Sequence, residues 1–310
     1  MKNLVMGFGT NQSEHSLEVF CRSLRRIYTP DQCDLVIITN RYEDFFAGFA
    51  REGVHFMGTT STYKPTTGKF AKAINRIVLN TMRGAMRVKL FEKKMPEIAA
   101  SYPVLVETWH HPQIVRWLAY KRFLTLNRAY GQVFLADVKD VVFQGPMFSG
   151  EGADYVSFFE QDEIYGKCYW DTKWYREAWG QAALAKVTGK RSVCIGTVLG
   201  PHPAALSFVA EVCTFFELHP FGRIEQSVVN FLLLNDLVRT PYRVVDNIIG
   251  PVATLANDVA HNATVTRDGY IRRVVDGSII PVVHMYDRWK DTNELYRGGM
   301  PFDAKEAVQA

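Results

Sequence analysis

The apolar run Leu4-Val5-Met6-Gly7-Phe8-Gly9-Thr10 closes on glycines, and behind it the hydrophobic period changes: Leu17, Phe20, Leu24 and Ile27 recur at helical spacing across His15–Tyr28. A strand, a turn and a helix are predicted. The alternation repeats in the β-branched run Asp34–Asn40, the helical pattern Tyr42–Arg51 and the strand-like Val54–Met57. Strands alternating with helices predict an α/β fold, a doubly wound and mostly parallel sheet flanked by helices. Thr59–Gly68, rich in Thr, Ser, Pro and Gly, reads as a loop, Lys69–Glu97 as one long helix and His111–Leu126 as another. Further strands follow at Gln132–Ala136, Tyr155–Phe159 and Ser192–Leu199, with an aromatic-rich loop between the last two and a helix at Ala204–Glu217. No repeat, low-complexity tract or linker interrupts the pattern, so one domain over residues 1–310 is expected.

Charge changes the picture in one place only. Thirty-six Lys and Arg against thirty-two Asp and Glu leave +4, too small an excess to imply a nucleic-acid partner. Lys69, Lys72, Arg76, Arg83, Arg87 and Lys94, however, recur on one face of the predicted long helix, with no acidic residue before Glu92. That stripe reads either as solvated surface or as a seat for an anionic membrane or phosphorylated acceptor. The longest apolar runs are too short for a membrane span, and the first residues lack a signal-peptide pattern, so a cytoplasmic protein is expected, with peripheral attachment at the inner face of the membrane as the role of the stripe. Five cysteines without a Cys-x-x-Cys pair read as buried thiols rather than a zinc site or disulfide framework.

The chemistry concentrates where the strand Gln132–Ala136 runs into Asp137-Val138-Lys139-Asp140. In open α/β sheets ligands collect at the carboxyl ends of strands, and two carboxylates there suit a hard divalent cation that keeps positions open for phosphate oxygens. In this context the chain resembles glycosyltransferases of the GT-A type, whose Asp-x-Asp motif holds the metal of a nucleotide-sugar donor. Four further segments follow the order of the retaining, glycogenin-like branch. Tyr120-Lys121-Arg122-Phe123-Leu124 resembles a helix whose Arg approaches the donor, and Cys194-Ile195-Gly196 resembles an Asn-x-Gly strand. Glu225-Gln226 followed by Asn230 resembles an Asp-Gln-x-x-x-Asn helix start, and His284 through Lys290 resembles the segment whose His completes the metal site. The motif here is Asp-x-x-Asp, Asn is missing before Gly196, and Glu225 replaces Asp; these departures bear on the branch rather than on the broader class.

The resemblance implies Asp137, Asp140 and His284 as ligands to Mn²⁺ or Mg²⁺, a mixed nitrogen and oxygen set that suits Mn²⁺. It implies Gly7, Thr10 and Asn40 at the nucleotide, for example UDP, with Arg122, Lys139 and Lys290, helped by Arg288, near the diphosphate. Gln226 and Glu225 would face the anomeric carbon, Gln226 in a front-side transfer or Glu225 as nucleophile in a double displacement. Residues 1–145 would form the donor half and 146–310 the acceptor half, with Glu160, Asp162, Trp170 and Trp174 receiving a glycan or lipid-linked acceptor, as in polysaccharide biosynthesis. The expected activity is metal-dependent hexosyl transfer, with retention. Two alternatives stay open. Gly-x-Gly-Thr also opens sugar-phosphate nucleotidyltransferases, although Asn11-Gln12 stand where those have Arg-Leu, and a glycan-binding relative without metal would tolerate the altered motif.

Overall fold

The structure is a computed structural model that describes residues 1–10, 12–39, 47–50, 52–59, 68–86, 97, 101, 104, 106–108, 112–148, 154–218 and 224–297. Its first half follows the predicted alternation: β1 (Lys2–Phe8), α1 (Glu14–Ile27), β2 (Cys33–Thr39), α2 (Ala47–Ala50), β3 (Val54–Gly58), α3 (Lys69–Met86), α4 (Pro112–Leu126) and β4 (Tyr130–Asp137). After the short β5 (Val141–Phe143) come β6 (Val156–Ile164), α5 (Tyr169–Trp179), α6 (Gln181–Val187), β7 (Arg191–Pro201), α7 (His202–Leu218) and α8 (Glu225–Leu234). The remainder comprises β8 (Tyr242–Val245), β9 (Val252–Thr254), α9 (Asp258–Asn262), β10 (Thr264–Arg267), β11 (Tyr270–Arg273), β12 (Val282–His284) and α10 (Lys290–Arg297).

The central sheet has the order β3-β2-β1-β4-β7-β6-β8, parallel throughout except for β7, which runs against both β4 and β6. It is a mixed α/β fold with a mostly parallel sheet between helices, as predicted. Period-2 alternation splits each inner strand between two cores. Leu4, Met6, Val36, Ile38, Val133 and Leu135 pack under α4, α7 and α8, while Val5, Leu35, Ile37, Phe134 and Ala136 pack under α1 and the smaller sheet. Both faces being covered, these strands read as continuous apolar runs rather than as alternating ones. On the first face Trp117 lies edge-on to both Tyr120 and Phe208, fully buried.

A second, three-stranded sheet, β5-β12-β9, sits at the end of β4. β12 pairs antiparallel with β5, bringing His284 opposite Val141, and parallel with β9, bringing it opposite Thr254. This pairing places the C-terminal His beside the acidic turn.

Part of the predicted layout is corrected. The aromatic-rich segment before Trp179 is not a loop: it holds the end of β6 and the helix α5. Its aromatics face opposite ways, with Tyr175 fully buried and Tyr169 and Trp170 exposed, so no single apolar stripe marks the helix. Residues 60–67 of the predicted loop, residues 87–96 of the predicted long helix and most of Tyr42–Arg51 lie outside the described residues.

Candidate active site

Asp137 is the last residue of β4, opposite Phe8 of β1, at the carboxyl end of the parallel strands. The next three residues turn the chain into β5, and because β5 pairs with β12 in register, Asp140 and His284 meet although they are far apart in sequence. The backbone N–H of Met285 donates to the Asp140 carbonyl at 2.7 Å, closing that corner. Met285 itself is left-handed, with φ 61°, which bends the chain away directly after His284.

His284 Nε2 lies 3.4 Å from Asp140 Oδ1 and 3.8 Å from Asp137 Oδ2. One ligand atom from each of the three residues falls within 4.8 Å of the others, the one such group of His, Cys, Asp and Glu among the described residues. Two of these atoms, Asp140 Oδ1 and His284 Nε2, are buried and face each other at 3.4 Å without any other hydrogen-bond partner. Buried polar atoms left open in this way need something to fill them. Gly196 of β7 keeps the space clear: a Cβ there would come within 2.4 Å of His284 Cε1 and 2.8 Å of Asp137 Oδ2. The other face of the ring, His284 Nδ1, meets Cys194 Sγ at 3.4 Å, which leaves Nε2 toward the carboxylates. Two carboxylates and an imidazole nitrogen brought this close together fit a divalent cation.

Arg116 stands beside this group, on α4. It is almost wholly buried, donates through Nη1 to Asp137 Oδ1, and places Nη2 2.8 Å from Glu225 Oε1. Burial works against its charge, but Glu225 and Asp137 outweigh it and hold the guanidinium well above its ordinary value. The other Glu225 oxygen accepts from Trp117 Nε1 at 3.0 Å. For Glu225 burial wins over the arginine and pushes the carboxyl up to about 8.

Asn230 explains how α8 presents its first turn. Its side chain accepts from Val193 N–H and donates to the Val193 and Gln226 carbonyls, all within 3.0 Å, clamping the helix against β7. Glu225 and Gln226 thereby face the strand ends, Glu225 buried and Gln226 half-buried.

Two clefts share the wall formed by Gln113, Arg116, Asp137 and Glu225. One, of about 220 Å³, opens toward Phe8, Thr10, Gln12 and Lys139. The other, of about 180 Å³, runs past Gly196, His284 and Gln226 to Trp170, Trp174 and Arg288. Of the predicted site residues, Asp137, Asp140, Lys139, Thr10, Glu225, Gln226, His284, Trp170 and Trp174 thus gather around the two clefts.

Others lie elsewhere. Arg122 donates from Nη1 to both oxygens of Glu107, at 2.7 and 2.9 Å, and lines neither cleft. Lys290 is exposed on α10, 3.9 Å from Glu294. Gly7 lacks room for a side chain, since a Cβ would strike Val138, so it serves the packing of β1 against the acidic turn. Glu160 and Asp162 are held by Arg191, and Asp162 also by Asn247, while Gln161 between them turns into the cleft. Asn40 lies outside the described residues. Sequence reasoning missed Arg116, Gln161 and Asp171. Arg116 carried a signal: it is the lone charge within the apolar run Ile114–Tyr120.

No protein-family description matches the sequence, and no curated protein is similar to it in sequence. Among solved structures the chain is similar in fold to LgtC, determined as an active-site mutant, with TM-score 0.52, 9% identity, and 95% of each chain covered. The glycosyltransferase GlyE of Streptococcus pneumoniae TIGR4 aligns over 96% of this chain with TM-score 0.47 and 10% identity, and this chain spans only 60% of it. A glycosyltransferase involved in glycosylation of the major capsid of PBCV-1 aligns with TM-score 0.41 and 11% identity, over 96% of this chain and 98% of its own. What the chain shares with LgtC is the fold, a mixed α/β arrangement with a mostly parallel sheet between helices.

Proposed function

We propose that this chain is a metal-dependent glycosyltransferase that moves a hexose from a nucleotide sugar to a glycan or lipid-linked acceptor with retention of configuration. The observation that carries the reading is the convergence of Asp137, Asp140 and His284 within 4.8 Å of one another, with Asp137 and His284 lining the same cleft as Gln226 and Asp140 lining the adjoining one. In this reading the three residues hold Mn²⁺ or Mg²⁺, which when bound offsets the charge of a departing diphosphate. The nucleotide occupies the cleft beside Thr10 and Gln12, with Lys139 at its edge. Residues 1–145 then supply most of the donor side and residues 146–310 most of the acceptor side of a single domain, although His284 and Gln226 reach the donor from the second half.

The hexose lies past Gly196, in the cleft that this residue lines together with His284 and Gln226. Arg116 holds Asp137 and Glu225 apart from it, and both Glu225 oxygens are engaged, so Glu225 is an anchor and Gln226 is the group left to face the anomeric carbon. The bond from that carbon to the diphosphate oxygen breaks, the bond to the acceptor oxygen forms on the same face, and the acceptor's proton passes to the leaving diphosphate. The Gln226 amide stabilises the positive charge that develops meanwhile. Trp170 and Trp174, with ring centroids 5.7 Å apart at the far end of the cleft, offer flat apolar surfaces for an acceptor sugar.

Titration calorimetry with UDP and with UTP, with and without Mn²⁺, tests the reading. Diphosphate binding that depends on Mn²⁺, and that weakens at least about tenfold in Asp137→Asn and Asp140→Asn with unchanged circular dichroism, is expected. Preference for the triphosphate would indicate nucleotidyl transfer instead, and binding of neither would leave a glycan-binding protein.

We also propose peripheral attachment to an anionic membrane through α3. Among the described residues no helix is long and apolar enough to cross a membrane. What supports attachment is that α3 exposes Phe70, Ile74 and Ile77 on one face of the helix, with the positions of the basic stripe on the opposite side. The side chains of Lys69, Lys72, Arg76 and Arg83, and the whole of Arg87 and Lys94, lie outside what is described.

A further inference from the structure

A buried carboxylate that the proposed chemistry leaves unused sits directly behind Gln226. Asp171 occupies the first turn of α5 at 3% exposure. Three side chains from three other elements aim donors at it. Gln161 Nε2 of β6 and Ser192 Oγ of β7 both reach Oδ2, the latter at 2.7 Å, and Gln226 Nε2 of α8 reaches Oδ1 at 3.3 Å. Gln161 Nε2 also donates to Ser192 Oγ at 2.8 Å, so the group is closed on itself. Burial holds the Asp171 carboxyl above its ordinary value, a rise that the bonds from Ser192, Gln226 and Gln161 reduce but do not cancel.

The chemistry of these donors has one consequence for Gln226. A side-chain amide has two nearly isosteric ends, an NH₂ that donates and an oxygen that accepts. An ionised carboxylate only accepts, so it selects the NH₂ and leaves the amide oxygen for the cleft. A freely turning glutamine would present either end to the sugar, and the NH₂ end would oppose developing positive charge at the anomeric carbon. Resting on the functional reading above, we infer that Asp171 is a positioning residue, which holds the Gln226 amide with its Oε1 toward the reacting sugar. Asp171 touches no reacting atom itself. Its neighbours on α5, Trp170 and Trp174, line the same cleft, so one helix both orients this amide and presents the acceptor surface.

The test separates this inference from the reading beneath it. In wild-type protein labelled at glutamine side chains, NMR should find the Gln226 NH₂ protected from solvent exchange and resolved from freely turning amides; an unprotected amide overturns the inference without any variant being made. Asp171→Asn, checked for fold by circular dichroism, should abolish that protection. With Mn²⁺ and UDP-glucose or UDP-galactose, it should also lower the rate of UDP release about tenfold while UDP affinity changes less than about twofold. In a Gln226→Ala background the same change should cost less than about twofold more, because the group it positions is gone. Additive losses, or a fall in melting temperature with no loss of turnover, would make Asp171 structural only. Gln226→Ala with wild-type turnover, or wild-type protein with no turnover on either donor, would instead overturn the functional reading and the role of Asp171 with it.

Discussion

A single guanidinium, Arg116, serves two carboxylates of opposite character. Asp137 is one-third exposed and remains available to a cation, whereas Glu225 is sealed between Arg116 and Trp117. The sealed one leaves a measurable mark. Its carboxyl is pushed from 4.5 to about 8 in the folded chain. Between those values the unfolded chain has released the proton and the folded chain has kept it, so this contribution to stability is present below pH 4.5 and is lost as the pH rises toward 8. Melting temperature should therefore fall more steeply from pH 5 to pH 8 in the wild type than in Glu225→Gln, which cannot titrate. Parallel slopes in the two proteins would show that Arg116 keeps Glu225 ionised throughout. At this scale the sequence was half legible. Asp137 and Asp140 stood out because ligands collect where the strands of an open sheet end, whereas His284 and Gln226 were named chiefly on the resemblance of their segments. Arg122 was named because Tyr120–Leu124 resembles a helix whose Arg approaches the donor, whereas a buried arginine such as Arg116 announces itself only as a charge misplaced in an apolar run.

Whole elements differ in how openly they declare themselves. The helix α8 was readable: its apolar run is long, and Asn230 at the fifth position past Glu225 is the clamp to β7. The helix α5 was hidden, since rings on opposite faces erase the stripe that defines an amphipathic helix. Lys173 adds to the disguise by lying 5.3 Å from the Trp170 ring and 5.5 Å from the Tyr169 ring, covering aromatic surface with a cation. The helix α3 presents the reverse case, with a basic pattern plain in the sequence and an apolar face that became visible only from exposure. Phe70 is 80% exposed and Ile77 64%, on a helix whose sequence from Lys69 to Met86 holds no acidic residue. Basic residues near an anionic leaflet contribute about 1 kcal/mol each, and inserted apolar side chains add to that. Sedimentation with phosphatidylserine-containing vesicles should therefore recover the protein at low salt and release it at high salt. Phe70→Ser combined with Ile77→Ser should weaken recovery even at low salt, and loss of salt dependence with retained binding would remove the charge from the explanation.

At the scale of the molecule the candidate metal point is where two sheets meet. Asp137 ends a strand of the large sheet, while His284 ends a strand of the small one, and Asp140 lies on the turn that joins them. The large sheet was legible because strand, helix and strand alternate along the chain, even though β1 pairs with the distant β4, Lys2 opposite Tyr130. The small sheet was not, because β5, β9 and β12 have three residues each and are brought together only by distant pairing. A cation held at this junction ties sheets that are otherwise joined through short strands, and it can do so only in the folded chain. A ligand that binds only the native state stabilises it by about 2.7 kcal/mol when present at about a hundred times its dissociation constant. Calorimetric melting with Mn²⁺ at that level should accordingly rise by several degrees. His284→Ala should abolish the rise by removing the small sheet's contribution, and Gly196→Ala should abolish it by filling the cradle with a methyl group while leaving all three ligands in the sequence. Retention of the full shift in both variants would place the cation elsewhere, whereas loss in Gly196→Ala alone would mean that the cleared space, rather than the imidazole, decides binding.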